Sequence, residues 1–130
     1  MTDPIADMLS RIMNTIKTRE DTVDIPHSKI KEEIAKILLS EGYIENYENL
    51  KRMEKNFIRI KLKYRTDKTG VIVGVKRVST PGRRRYSNAR SIPRIQSGFG
   101  TAIVSTSKGI MTDSEARAKK HGGEVLCYIW

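Results

Sequence analysis

From residue 58 to residue 64 apolar and basic side chains alternate without a break. Ile58, Ile60, Leu62 and Tyr64 fall on one side of an extended chain, and Arg59, Lys61 and Lys63 on the other. That period of two predicts a strand with one face in the core and one in solvent, paired with residues 43–47 across a polar loop at 48–56. Upstream the period changes to that of a helix. Asp3 followed by Pro4 is a helix start, and Ile5, Met8, Leu9, Ile12, Met13 and Ile16 recur at three- and four-residue steps. Val23 and Ile25 predict a short strand ended by Pro26. Ser28 then caps a second helix whose stripe is Ile30, Ile34, Ile37 and Leu38, stopped at Gly42.

Past residues 65–70, a charged, turn-like stretch that reads as a junction between lobes, the pattern becomes β-rich. Residues 71–78 predict a buried strand, Pro81 and Gly82 a break, and residues 92–95 a short apolar segment leading to Gly98 and Gly100. Residues 101–105 predict another strand. Thr112 and Glu115 make a capping box that opens a short helix running to about Gly122, and residues 125–130, apolar on both faces, predict a strand covered on both sides. The fold class expected is α+β: an N-terminal α-β-α-β-β lobe, residues 1–66, packed on a mainly β C-terminal lobe with one short helix, residues 67–130. At 130 residues the chain is long enough to bury roughly two-thirds of its unfolded surface.

The lobes differ most in charge. Residues 68–112 contain no aspartate or glutamate, yet carry nine basic residues: Lys68, Lys76, Arg77, Arg83, Arg84, Arg85, Arg90, Arg94 and Lys108. Residues 1–67 and 113–130 are nearly balanced, at +1 and 0, so the formal charge of +10 resides in one segment. The partner this implies is a polyanion, and the preponderance of arginine suits phosphate, because the planar guanidinium matches its oxygens better than an ammonium does. Apolar runs fall far short of a membrane span, and the N-terminus has no basic stretch followed by an apolar plug, which predicts a cytoplasmic protein with no membrane partner. The single cysteine, Cys127, excludes an internal disulfide.

Directly after a predicted strand, Ser105, Thr106, Ser107, Lys108 and Gly109 place three hydroxyls and a lysine at a turn on a sheet edge. Hydroxyls both donate and accept, so this group can meet ribose hydroxyls, base edges and phosphate oxygens; the alternative is that Ser and Thr only cap turns. Arg83, Arg84 and Arg85 could be a solvated turn, but Tyr86 beside them offers a stacking face for a base or ribose. Ser105 and Lys108 also match a Ser-x-x-Lys acyl-enzyme element, and residues 68–70 a Lys-Thr-Gly element. That mechanism needs the serine and lysine on one helical turn, which Gly109 and the β-rich run before it oppose. His27, His121 and Cys127 have no paired spacing for zinc. No catalytic residue, metal or cofactor is therefore expected.

The stretch from Ser105 to Asp113, continuing to Ala116, Arg117, Gly122, Gly123 and Glu124, closely resembles the family of bacterial small-subunit ribosomal protein eight. The likeness covers nearly the whole chain, including residues 3–9 with Arg11 and Asn14, Gly42-Tyr43-Ile44, and Arg77-Val78-Ser79 with Pro81, Gly82 and Tyr86. The resemblance implies a monomeric, non-enzymatic primary binder of small-subunit ribosomal RNA. It implies attachment to a helix of the central domain, a role in organising the platform, and ribosomal proteins five and twelve as neighbours, with no small-molecule substrate. Carried over by position, the RNA-facing residues are Ser105, Thr106, Ser107, Tyr86, Gly122, Gly123 and Glu124, beside Lys108 and the arginines at 83–85. Ser28 and Lys29 are candidates for a second, N-terminal contact.

Overall fold

A computed structural model describes residues 2–130. The chain forms two compact units, Ile5–Val73 and Gly74–Trp130, the latter joined by residues 2–4.

In the first unit the predicted amphipathic stripes become helices α1 (Pro4–Thr18) and α2 (Lys29–Ser40). Ile5, Met8, Leu9 and Ile12 of α1 and Ile34, Ala35, Ile37 and Leu38 of α2 are buried. Ser28 caps α2, its hydroxyl accepting the Lys31 N–H at 3.2 Å, and Gly42 leaves the helix at φ +80°, a conformation that favours glycine. Strands β1 (Thr22–Pro26), β2 (Ile44–Arg52) and β3 (Lys55–Leu62) form an antiparallel sheet in the order β1-β3-β2. Ile58, Ile60 and Leu62 of β3 are buried, as the alternation requires.

Two expectations are corrected here. The stretch 48–56 is mostly strand: β2 and β3 pair out to Arg52 opposite Lys55, closed by the two-residue turn Met53–Glu54 with φ of 50° and 63°. Both central residues in that region mark a type I′ turn, made here without the usual Asn or Gly. The polar arm extends past the buried rows, and its apolar support is Phe57, whose ring lies under the guanidiniums of Arg52 and Arg59 at 5.2 and 5.5 Å. Residues 65–70, read as a junction, form a turn inside the first unit, with Tyr64 bridged to Gly70 and the Arg65 N–H donating to the Thr69 carbonyl at 2.8 Å.

The second unit is a five-stranded antiparallel sheet. Strands β4 (Val75–Arg77), β8 (Gly123–Ile129), β6 (Thr101–Thr106) and β7 (Gly109–Thr112) lie in that order, and β5 (Tyr86–Ser87) joins β8 beside β4. The buried strand expected at 71–78 shrinks to β4, because Ile72 and Val73 belong to the other unit and Gly74 lies flat against Trp130, where a Cβ would sit 2.4 Å from the indole. Thr112 caps α3 (Asp113–Lys119) by accepting the Glu115 N–H at 3.1 Å, and the helix ends at Lys120 in the left-handed region, short of the predicted Gly122. Ala102, Val104, Met111, Ala116 and Val125 form the core of this unit together with Ile92 and Ile95.

Candidate nucleic-acid interface

The register of the second sheet gathers residues that are far apart in sequence. Glu124 on β8 pairs with Tyr86 on β5 and with Ser105 on β6, so the three share one face in a row across three strands. Strands lie about 4.8 Å apart, which puts the Tyr86 and Ser105 backbones roughly 10 Å from each other. In the next row Gly123 pairs with Ser87 and Thr106. A Cβ at Gly123 would come within 2.1 Å of the Ser105 carbonyl oxygen, and one at Gly122 within 2.6 Å of the Ser87 carbonyl oxygen. Both glycines are thus required by the close approach of the backbone beside them, that of β5 and Asn88 at Gly122 and that of β6 at Gly123.

The hydroxyl cluster lies at the tip of the β6–β7 hairpin rather than on a sheet edge, since β6 is an interior strand and Thr106 pairs with Gly109. The three hydroxyls are not equivalent. Thr106 Oγ1 donates to the Gly109 carbonyl at 2.8 Å and accepts the Lys108 N–H at 3.1 Å, so it braces the turn, as serine and threonine in turns commonly do. The Ser105 and Ser107 hydroxyls make no hydrogen bond among the described residues and are available to a ligand, Ser105 being partly exposed and Ser107 and Lys108 exposed. Ser105 is a strand residue and Lys108 lies in the hairpin turn, a geometry that does not supply the single helical turn of an acyl-enzyme Ser-x-x-Lys pair.

The cations also divide. Arg77 is mostly buried: its Nε donates to both Asp3 carboxylate oxygens at 3.2 and 3.0 Å, its Nη1 to the Leu126 carbonyl at 2.6 Å, and its side chain is only 11% exposed. It must be removed from the set of surface charges counted from sequence. Arg84 is half exposed and bound to Glu124 at 3.0 Å. Arg83, Arg85 and Tyr86 are exposed, and with Lys76 and Tyr128 they wall a cleft of about 700 Å³ whose lining includes no acidic residue. A second cleft, about 670 Å³, is lined by Asn88, Ala89, Arg90, Arg117 and Lys120. Sequence reasoning counted Lys76 and Arg90 in the basic segment without singling them out as contacts, and it missed Asn88 and Lys120. The acid-free composition was the available signal, but it does not say which cations line a concavity.

The N-terminal candidates lie in the first unit, at the start of α2. Lys29 is exposed, whereas the Ser28 hydroxyl is already engaged in capping. Next to them His27 Nε2 and Glu32 Oε1 are 2.8 Å apart, and that contact, foremost, lowers the Glu32 carboxyl below its ordinary range. Cys127 is fully buried, and burial pushes its thiol up to about 12, the behaviour of a packed and unreactive cysteine. Among the described residues no cluster of three or more His, Cys, Asp or Glu is placed to hold a metal ion.

Comparison with known proteins converges on one family. The family model described as Ribosomal protein S8 matches residues 3–130. The small ribosomal subunit protein uS8 of Dictyoglomus thermophilum is 57% identical over 130 residues, covering 100% of this chain and 98% of its own length. That of Caldicellulosiruptor bescii is 55% identical over 128 residues, with 98% and 97% covered. That of Halalkalibacterium halodurans is 53% identical over 130 residues, with 100% and 98% covered.

Proposed function

The chain belongs to the ribosomal protein S8 family, and from that premise we propose that its second unit grips a folded helix of small-subunit ribosomal RNA. Membership makes it a structural, non-enzymatic constituent of the small ribosomal subunit, which lies in the cytoplasm of bacteria. The finer reading is ours: attachment to a helix of the central domain, a role in assembling the platform, and proteins five and twelve as neighbours.

The observation that carries it is the row Tyr86–Glu124–Ser105, which ends beside a hairpin tip offering Ser107 and Lys108 and is flanked by exposed arginines. Hydroxyls held on a rigid hairpin suit the shallow, hydroxyl-rich groove of RNA, which is recognised mainly by shape. The tyrosine adds a ring for a splayed base or a ribose, and the cations at 83, 85 and 108 hold the backbone in register without reading sequence. Gly122 and Gly123 serve the site by letting three strands close up, which fixes the spacing between tyrosine and serine. The second contact, at the start of α2, rests on Lys29 rather than on the capping Ser28.

Hydroxyl-radical footprinting of small-subunit ribosomal RNA with the purified protein tests this directly. Protection should fall on one irregular helix of the central domain and weaken when Ser107 and Lys108 are both replaced by alanine. An unprotected central domain would contradict the proposal.

A further inference from the structure

We infer that Ser79 and Glu124 form a brace that positions Arg84, so that Glu124 serves the RNA surface by holding this arginine and not by touching RNA. This rests on the RNA-binding reading above and adds to it a residue, Ser79, with no access to a ligand.

The brace stands where the chain leaves the sheet. The Val125 carbonyl accepts the Ser79 N–H at 3.1 Å, and the Val125 N–H donates to the Arg85 carbonyl at 3.0 Å. Residues 80–84 are therefore an excursion between two positions that share one partner on β8. Within it Thr80 bridges to Arg83 across Pro81 and Gly82. The neck is closed by a side chain. Ser79 Oγ, fully buried, accepts the Arg85 N–H at 3.0 Å and donates its proton to Glu124 Oε2. The same carboxylate oxygen accepts Arg84 at 3.0 Å.

A carboxylate is an odd choice for a surface that meets phosphates, because it repels them. Here it is 17% exposed, and one of its oxygens already accepts from a hydroxyl and a guanidinium. Arginine has five donors in a planar fork, so the nitrogen given to Glu124 leaves the others for a phosphate. An arginine tied down before binding loses less rotamer freedom when RNA arrives. The repulsion from one half-buried charge is offset by the pre-ordering of the cation that covers it.

The test uses the full-length protein and the ribosomal RNA fragment that it protects, with binding measured over a salt series, well below the melting midpoint of every variant. Ser79→Ala changes neither the charge nor the exposed surface. It should nevertheless weaken the fragment by ~3- to 10-fold and flatten the salt dependence by about one phosphate contact, as Arg84→Ala does. The double variant should be no weaker than either single one. Glu124→Gln should weaken the fragment while leaving random RNA bound as well or better. The brace is overturned if Ser79→Ala leaves affinity and salt slope unchanged, or if its loss multiplies with that of Arg84→Ala. Should Ser79→Ala not fold, Glu124→Gln combined with Arg84→Ala carries the same contrast: an undiminished loss from Glu124→Gln without the arginine means direct contact with RNA and overturns the brace. Wild-type protein that binds no fragment at all overturns the RNA-binding premise, a result distinct from any of these.

Discussion

The two units handle charge in opposite ways. In the first, Ile5–Val73, fourteen cations are interleaved with eleven carboxylates, and opposite charges meet across its surface: Arg11 with Asp7, Lys36 with Glu33, Lys51 with Glu54, and Arg59 with Asp24. In the second, eleven cations face only four carboxylates. All four are engaged, Asp3 with Arg77, Asp113 with Arg117, Glu115 with Lys119 and Glu124 with Arg84. That leaves seven cations, Lys76, Arg83, Arg85, Arg90, Arg94, Lys108 and Lys120, with no ion pair among the described residues. A net charge of +10 would attract any polyanion. The difference between the units shows that charge committed inside the fold and charge left for a partner are sorted by where the few carboxylates stand.

Arg77 gives this contrast its largest test. Removing one member of a buried ion pair strands the other, so Arg77→Ala should lower unfolding stability by about 3 kcal/mol in urea titrations. RNA affinity of the folded variant should stay within about twofold of wild type, because Arg77, although it borders the cleft walled by Lys76, Arg83 and Arg85, is 11% exposed and already committed to Asp3 and the Leu126 carbonyl. A loss of RNA affinity without a loss of stability would place Arg77 with the gripping set instead.

A smaller effect separates the hydroxyls. Ser107→Ala should weaken the cognate RNA by about 1 kcal/mol, having left a desolvated RNA group without its partner, and should leave random RNA nearly unaffected. Equal weakening of both RNAs would remove Ser107 from the reading surface. Thr106→Ala should instead loosen the hairpin tip, lowering amide protection at Lys108, since its hydroxyl accepts that N–H.

The smallest effect belongs to the first unit. The Arg59 guanidinium, hydrogen-bonded at 2.8 and 3.1 Å, holds the Asp24 carboxyl below its ordinary 3.8. A carboxyl depressed in the fold contributes stability above its unfolded pKa and loses it as pH falls through the lower folded value. The difference in urea midpoint between wild type and Asp24→Asn should therefore be largest near pH 6 and vanish toward pH 2. A pH-independent difference would mean that the pair does not act through charge.

Much of the fold could be read from the residues alone, because its signals are local. The Asp3–Pro4 start, the Ser28 and Thr112 caps, the Gly42 stop and the alternation in β3 each act over three or four positions. The pairing of β2 with β3 was legible, but its outer half escaped because the turn, Met53–Glu54, adopts positive φ with residues that do not announce it, and because the last rows before it, Lys51 opposite Asn56 and Arg52 opposite Lys55, are polar. The run at 71–78 misled because β-branched residues stand on both sides of Gly74, and only the Trp130 ring packed there explains the break. At the site, composition pointed to the hydroxyl hairpin and the arginines. Register, which puts Tyr86, Glu124 and Ser105 in one row, joins positions 19 and 38 apart and leaves no local trace. Nor could sequence tell that Thr106 is spent on its own turn, that Arg77 is mostly buried, or that a buried serine at 79 stands behind Arg84.

Two triple variants of identical charge compare the units most directly: Arg83, Arg85 and Lys108 all to Gln in the second, against exposed Lys17, Lys51 and Lys61 all to Gln in the first. With about five phosphate contacts, wild type should lose a few hundred-fold in affinity for the ribosomal RNA fragment between 50 and 200 mM salt. The expected result is that the second-unit triple binds on the order of 100-fold more weakly at low salt, with a slope reduced by about three contacts, while the first-unit triple stays within roughly threefold of wild type. Equal losses from the two triples would show that total charge, and not its placement on the second sheet, decides binding.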